Sequence, residues 1–196
     1  HEIVILKSNN CRVDFDQDNR SVLYFESKNS VQWFKSIYHL ATSSHIIVDN
    51  YYGFLAVTDF KPNVTCVQVW HAAGAIKQFG LEDLTNGERS TRAMQRFQAV
   101  YNRFDHVIVG SDEMMDIYQR SFGLSKERFV KTGIPRTDYF FHDMEKQEAI
   151  KRMHVDYPVI ADKKVILYAP TYRDNELNST ELALDMKRMY DAFKYE

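Results

Sequence analysis

The stretch VQVWHAAGAIKQFG, Val67 to Gly80, carries an imidazole, His71, from an apolar strand-like run into a patch of small residues, Ala72, Ala73, Gly74 and Ala75. Imidazole, with an ordinary pKa of about 6.5, accepts a proton near neutral pH. At the carboxyl end of a parallel strand it would sit where open α/β sheets bind ligands. Small residues beside it would let a substrate approach the backbone, and Lys77 would add positive charge. The other reading is structural. In it, His71 is a satisfied histidine at a strand end, and Ala-Ala-Gly-Ala is a tightly packed helix start. On these residues alone the two readings stand level.

Three more segments end strand-like runs in polar groups. In TGIPRTDYFF, Thr132 to Phe141, Gly133 and Pro135 shape a loop from which Arg136 points outward. Guanidinium suits bidentate phosphate contact, but Arg136 could equally pair with Asp138. In ILYAPTYRD, Ile166 to Asp174, Thr171 and Arg173 could hold phosphate oxygens, or Arg173 could simply pair with Asp174. The run SSHIIVDN closes on Asp49 and Asn50. Asn50 could orient a hydroxyl or His71 itself, although Asp and Asn are also ordinary turn formers at a strand end. Neither a G-x-G-x-x-G fingerprint nor a P-loop pattern is present. No role is assigned to His39, His45, His106, His142 or His154.

These groups need a scaffold, and the chain supplies a βα alternation. Ile3 to Leu6, Val22 to Phe25, Ile46 to Val48 and Val64 to Trp70 read as strands. Ser30 to Ala41 and Glu88 to Phe104 read as helices with apolar faces. His106 to Val109 is a strand, and Ser111 caps a helix that stops at Gly123. Phe129 to Lys131 is the next strand. A βαβ unit of this spacing predicts a parallel sheet. A further helix is expected from Met144 to Val155, a strand at Val165 to Tyr168 and a helix from Glu181 to Phe193. The polar turn Ala161 to Lys164 marks a boundary, after which a second domain has only its first strand and helix.

Composition sets the class. With 196 residues, 44 % hydrophobic and 27 % charged, the chain has enough apolar content for a globular core. Thirteen Phe and twelve Tyr would fill that core or leave apolar surface. A formal charge of −2 argues against a general nucleic-acid binder. Cys11 and Cys66 are isolated, which argues against a zinc site and suits a reducing compartment. No stretch approaches the roughly 20 apolar residues of a membrane span, and no signal peptide is visible. A first residue of His1 rather than Met predicts a piece of a longer protein.

In this order and spacing, ATSSHIIVDNYYGFLA, QVWHAAGAIKQFG, TGIPRTDYFF and ILYAPTYRD resemble the CDP-glycerol glycerophosphotransferases of teichoic acid synthesis. The resemblance runs from about Ser36 to Asp174, and the WHAAGAIKQFG form is similar to the primase-type members. It implies a GT-B architecture, with two Rossmann-like domains facing a cleft. Residues 1–160 would form the acceptor-side domain, and 161–196 the start of the CDP-glycerol-binding domain. It implies a peripheral protein on the cytoplasmic face of a Gram-positive membrane, whose acceptor is a disaccharide or polymer on undecaprenyl diphosphate. It makes His71 the base, Asn50 a substrate-orienting residue and Arg173 a phosphate ligand. Lys77, Arg136 and Thr171 complete the candidate substrate-binding set. These residues require no resident cofactor or metal, though a diphosphate could bring a metal ion. The family's main donor-binding segments lie beyond Glu196, so the piece alone is expected to be inactive. Two alternatives remain. One is an inactive lipid-acceptor or membrane-surface module, suggested by Trp33, Phe34, Tyr38, Tyr51, Tyr52 and Phe54. The other is a different GT-B nucleotide-sugar enzyme.

Overall fold

Every strand pairing among the described residues is parallel. The computed structural model describes residues 2–15, 20–25, 28–75, 77–169 and 184–194. Strands β1 (Ile3–Lys7) and β2 (Arg20–Tyr24) form a two-stranded sheet. Strands β3 (His45–Val48), β4 (Thr65–Gln68), β5 (His106–Val109) and β6 (Phe129–Lys131) form a second sheet in the order β3-β4-β5-β6. Helices α1 (Ser30–Thr42), α2 (Thr91–Tyr101) and α3 (Asp112–Phe122) lie between strands in the chain. The expected α/β class with a parallel sheet is therefore observed.

The four-stranded sheet forms because its segments are short, β-branched and alternate in burial. Ile46, Val48, Cys66, Gln68, Val107 and Val109 are buried, while Ile47, Val67 and Ile108 between them are not. The register sets Val48 beside Gln68 and Val67 beside His106. Phe104, Phe122, Leu55 and Val100 fill the core with no exposed surface. Burial, reinforced by Asp105, pushes the Cys66 thiol up to about 12, so this cysteine behaves as a core residue.

Helix α3 shows how local chemistry fixes the boundaries. The Ser111 hydroxyl accepts from the Met114 N–H at 3.2 Å, and Asp112 and Glu113 sit in the positive first turn. Gly123 closes the helix in the left-handed conformation, φ 65°. Ser111→Ala is expected to lower stability by about 1 kcal/mol, read as a drop in thermal midpoint with unchanged circular dichroism.

Three elements differ from expectation. The helix expected from Glu88 begins at Thr91, because the Ser90 hydroxyl accepts from Ala93 N–H and caps it there. Leu84–Glu88 is a separate 3-10 turn capped by Asp83. The strand expected to reach Trp70 ends at Gln68, where the backbone turns. Residues 164–169 carry no regular structure, so the strand expected at Val165 to Tyr168 is not formed. That run has the β-forming residues, but among the described residues no strand pairs with it to complete its hydrogen bonds, and Leu167 is 86 % exposed.

Packing divides the chain into two units, His1–His142 and Asp143–Glu196. The first holds both sheets and α1 to α3. The second holds α4 (Asp143–Asp156) and α5 (Met186–Phe193). The expected helix from Met144 to Val155 is thus present; the last helix, expected from Glu181, begins at Met186, where the Asp185 carboxylate accepts from the Arg188 N–H and caps it, residues 181–183 lying outside those described. Among the described residues no helix is long and apolar enough to cross a membrane.

Candidate active site

The site grows from the carboxyl ends of β3 and β4. Past Val48, Asp49 and Asn50 leave the sheet in a turn. The Asn50 Oδ1 accepts from the N–H of the next residue, Tyr51, at 2.8 Å. The Asp49 carboxylate accepts from the Tyr52 hydroxyl at 2.7 Å. Burial, then this bond, raises the Tyr52 phenol well above its ordinary range, so it stays a donor.

Beside it, β4 ends in an unusual bend. Trp70 has φ 52°, the left-handed region that a bulky residue enters at a cost of about 1–2 kcal/mol. Two features hold it there. Its N–H donates to the Oε1 of Gln68 at 2.8 Å. Its indole packs on Phe79 and Phe122, with ring centroids 5.5 and 5.2 Å away. The bend turns His71 back towards β3, and the imidazole stacks on the indole at 4.5 Å.

The outcome is a defined imidazole. His71 Nδ1 lies 2.8 Å from the Asp49 carbonyl oxygen. A carbonyl only accepts, so Nδ1 carries a proton, and in the uncharged form of the ring the lone pair falls on Nε2. Among the described residues Nε2 has no hydrogen-bond partner, and His71 is exposed. The side chain is therefore anchored through one nitrogen and available through the other. The structural reading of the sequence accounts only for the first nitrogen. The helix start imagined for Ala72 to Ala75 is absent, because the chain there makes bends rather than helical turns.

Beyond His71 the small residues border real space. A cavity of about 300 Å³ begins at Ala73 and is lined by Gly110 and Ser111 after β5 and by Gly133, Ile134 and Thr137 after β6. It occupies the carboxyl edge of the parallel sheet, the usual ligand position in such folds. One wall is braced by Tyr118, whose hydroxyl donates to the Ala72 carbonyl at 3.2 Å. Burial pushes that phenol up to about 12, so it remains a donor.

The remaining candidates divide. Asn50 does not orient His71 with its side chain. The backbone carbonyl of Asp49 does that, while the Asn50 Nδ2 has no partner among the described residues. Lys77 is exposed beyond the small patch. Its charge reaches Asp83, whose carboxyl is held below the usual range first by the Thr85 backbone N–H and its hydroxyl, with Lys77 a lesser cause. Arg136 is exposed at the start of the 3-10 segment Pro135–Phe141, next to Thr137 of the cavity. It makes no ion pair with Asp138 among the described residues. Thr171 and Arg173 lie outside the described residues. Among the described residues no group of three or more His, Cys, Asp or Glu could hold a metal ion.

Sequence similarity gives this geometry a context. The profile of the family described as CDP-Glycerol:Poly(glycerophosphate) glycerophosphotransferase matches residues 8–196. The chain belongs to this family. A teichoic acid glycerol-phosphate primase of Bacillus subtilis strain 168 is 36 % identical over 178 residues, covering 91 % of this chain and 45 % of that protein. A teichoic acid poly(ribitol-phosphate) polymerase of Bacillus spizizenii is 36 % identical over 163 residues, 81 % of this chain and 26 % of that one. The chain thus spans less than half the length of these relatives. Among solved structures, a variant of the wall teichoic acid polymerase TagF superposes with a TM-score of 0.69 at 24 % identity, over 90 % of this chain and 42 % of that one. Another TagF variant, soaked with CDPG, superposes with a TM-score of 0.67. Those likenesses are to the fold.

Two groups that shape the surroundings of His71 were not among the candidates. One is the Asp49 backbone carbonyl, which no side-chain pattern can signal. The other is Gln68, completely buried at a core position of β4. Its signal was present: in TCVQ, Gln68 shares the parity of Cys66, so a polar amide falls where the strand pattern places an apolar residue.

Proposed function

We propose that the full-length protein transfers glycerol phosphate from CDP-glycerol to an undecaprenyl-diphosphate-linked disaccharide or teichoic acid chain and releases CMP. The observation that carries this reading is the His71 imidazole, protonated at Nδ1, anchored to the Asp49 carbonyl and open at Nε2, in a chain of the glycerophosphotransferase family. In the reaction the acceptor hydroxyl gives its proton to Nε2. Its oxygen forms a bond to the phosphorus that bears glycerol, and the bond from that phosphorus to the bridging oxygen breaks. The electron pair of the broken bond leaves with CMP. General-base assistance of this kind contributes about 10²–10⁴ in rate.

The cavity at Ala73, Ser111 and Thr137 is a suitable seat for the hydroxyl-bearing end of the acceptor. The free Nδ2 of Asn50 would donate to an acceptor hydroxyl. Arg136 and Lys77, with Thr171 and Arg173, would offset charge on the diphosphate. No resident cofactor is needed for this step, since base and cations come from side chains. In this reading residues 1–160 form the acceptor-side domain of a GT-B enzyme and residues 161–196 begin the donor-side domain. The protein works at the cytoplasmic membrane face as a peripheral protein, and residues 1–196 alone do not turn over.

A second reading has its own support. Helix α1 exposes Phe34 and Tyr38 at 64 % and 63 %, with Trp33 and Ile37 beside them. Such a face suits a lipid-acceptor or membrane-surface module. One assay separates the readings. Full-length protein is given radiolabelled CDP-glycerol, CDP-ribitol or UDP-sugars with lipid-linked acceptor. Label transfer from CDP-glycerol is expected. Transfer from UDP-sugars alone would make it another GT-B nucleotide-sugar enzyme. Liposome binding without any transfer would leave the module.

A further inference from the structure

We infer that Gln68 is the positioning residue that sets both the tautomer and the direction of the His71 imidazole. The inference deepens the proposed function, because it rests on His71 acting as the base.

The geometry is that of a clasp. Gln68 has no solvent-exposed surface, yet both ends of its amide are used. Its Nε2 donates to the Asn50 carbonyl at 3.0 Å, and its Oε1 accepts from the Trp70 N–H at 2.8 Å. Asn50 directly follows Asp49, whose carbonyl accepts the hydrogen bond from His71 Nδ1. Trp70 directly precedes His71. One buried side chain therefore grips the backbone next to each partner of the His71–Asp49 bond. The neighbouring ladder bond from Val69 N–H to the Val48 carbonyl, at 2.9 Å, is the last that pairs β3 with β4. Past that point the strands separate, and the Gln68 amide takes over from the sheet.

The amide also selects the bend. The Trp70 N–H turns inward to reach Oε1, and this is the direction the left-handed backbone of Trp70 provides. An apolar side chain at this position would leave both the Trp70 N–H and the Asn50 carbonyl without a partner in the core. Those groups would move to find others, and the Asp49 carbonyl and the imidazole would move with them. Its paired neighbours Val48 and Val107, and Cys66 on the same face of its own strand, are apolar or inert, so among the described residues the two backbone groups are the amide's hydrogen-bond partners. Gln68 does not itself reach the reacting atoms, so it acts through His71.

Two measurements on full-length protein test the inference. The first is nitrogen NMR of 15N-histidine-labelled wild-type protein at neutral pH, with His71 assigned by its loss in His71→Ala. A proton on Nδ1 and a lone pair on Nε2 are expected. A predominant Nε2–H tautomer would overturn the inference with no mutant of Gln68 needed. The second uses Gln68→Met, which keeps length and volume but removes both hydrogen bonds. Turnover is expected to fall about 10- to 100-fold, with the KM for CDP-glycerol within about twofold and His71 showing mixed tautomers. A folded Gln68→Met protein with wild-type tautomer and wild-type kcat would sink the idea. The tautomer readout needs no activity. If His71→Ala kept full turnover, the base assignment would fail while the NMR result still judged Gln68.

Discussion

His71→Ala in the full-length protein is expected to lower kcat by about 10²–10⁴, with the KM for CDP-glycerol close to wild type. The split follows from position. His71 is exposed, and its one fixed bond is to a backbone carbonyl, so its removal leaves the core intact. Nothing in the geometry has it bind the donor. Loss of a group that acts only as the proton moves lowers kcat and kcat/KM alike. Asp49→Ala supplies the contrast. A buried Asp–His dyad would lose its orienting group with the carboxylate. Here the orienting group is the main-chain carbonyl, and the carboxylate is engaged with Tyr52. Asp49→Ala is therefore expected to cost much less than His71→Ala, about tenfold or below. Steady-state kinetics on both variants, with circular dichroism as the folding control, decide the matter. Near-normal turnover in folded His71→Ala protein would remove the histidine from the mechanism.

Gly80→Ala is expected to be the most damaging single methyl addition in the first unit. Gly80 has φ 63°, where any side chain is strained. An added Cβ would also run into the backbone carbonyl of Ser121 in α3 and would lie 3.3 Å from the Tyr101 hydroxyl. The left-handed conformation costs about 1–2 kcal/mol for a residue with a Cβ. Pushing a core helix away from its contacts adds about 1–3 kcal/mol. A loss of about 2–5 kcal/mol is expected, measured as the shift in urea midpoint at constant m-value. The damage extends to the site through stacked rings. Gly80 follows Phe79, Phe79 stacks on Trp70, and Trp70 stacks on His71. An unchanged midpoint would mean that α3 yields at Ser121 without cost.

Much of this architecture was visible beforehand, for reasons that differ by element. Helix α3 was bounded to the residue because Ser111 and Gly123 are strong local signals that tertiary packing has no reason to override. The parallel sheet followed from strand, helix and strand in quick succession. The end of β4 was misjudged because Trp70 favours strands by type, while its actual conformation is imposed by a buried amide and an aromatic cluster. The start of α2 was drawn too early because Glu88 and Arg89 fit a helix pattern, whereas Ser90 competes for the backbone and wins. Val165 to Tyr168 has the composition of a strand, but pairing is a property of neighbours rather than of the segment. At the candidate site, the type and company of His71 left a catalytic and a structural reading level. Its orientation was not legible, since it depends on a main-chain oxygen 22 residues away.

The strand order β3-β4-β5-β6 has one further consequence. Right-handed crossovers that always step the same way put their connecting segments on one side of a sheet. Burial agrees: Ile46, Val48, Cys66, Val107 and Val109 face the packed side. The opposite side carries its own apolar row, in which Ile47 stands beside Val67 and Ile108 beside Val130, and Ile47 is 70 % exposed. Ile47 is the exposed member of that row, while Val67, Ile108 and Val130 are half-buried, so among the described residues the two faces of the sheet are unequally covered. A polar side chain is therefore tolerated at Ile47, whereas the same change at Val48, 5 % exposed, would place an unpaired polar group in the core.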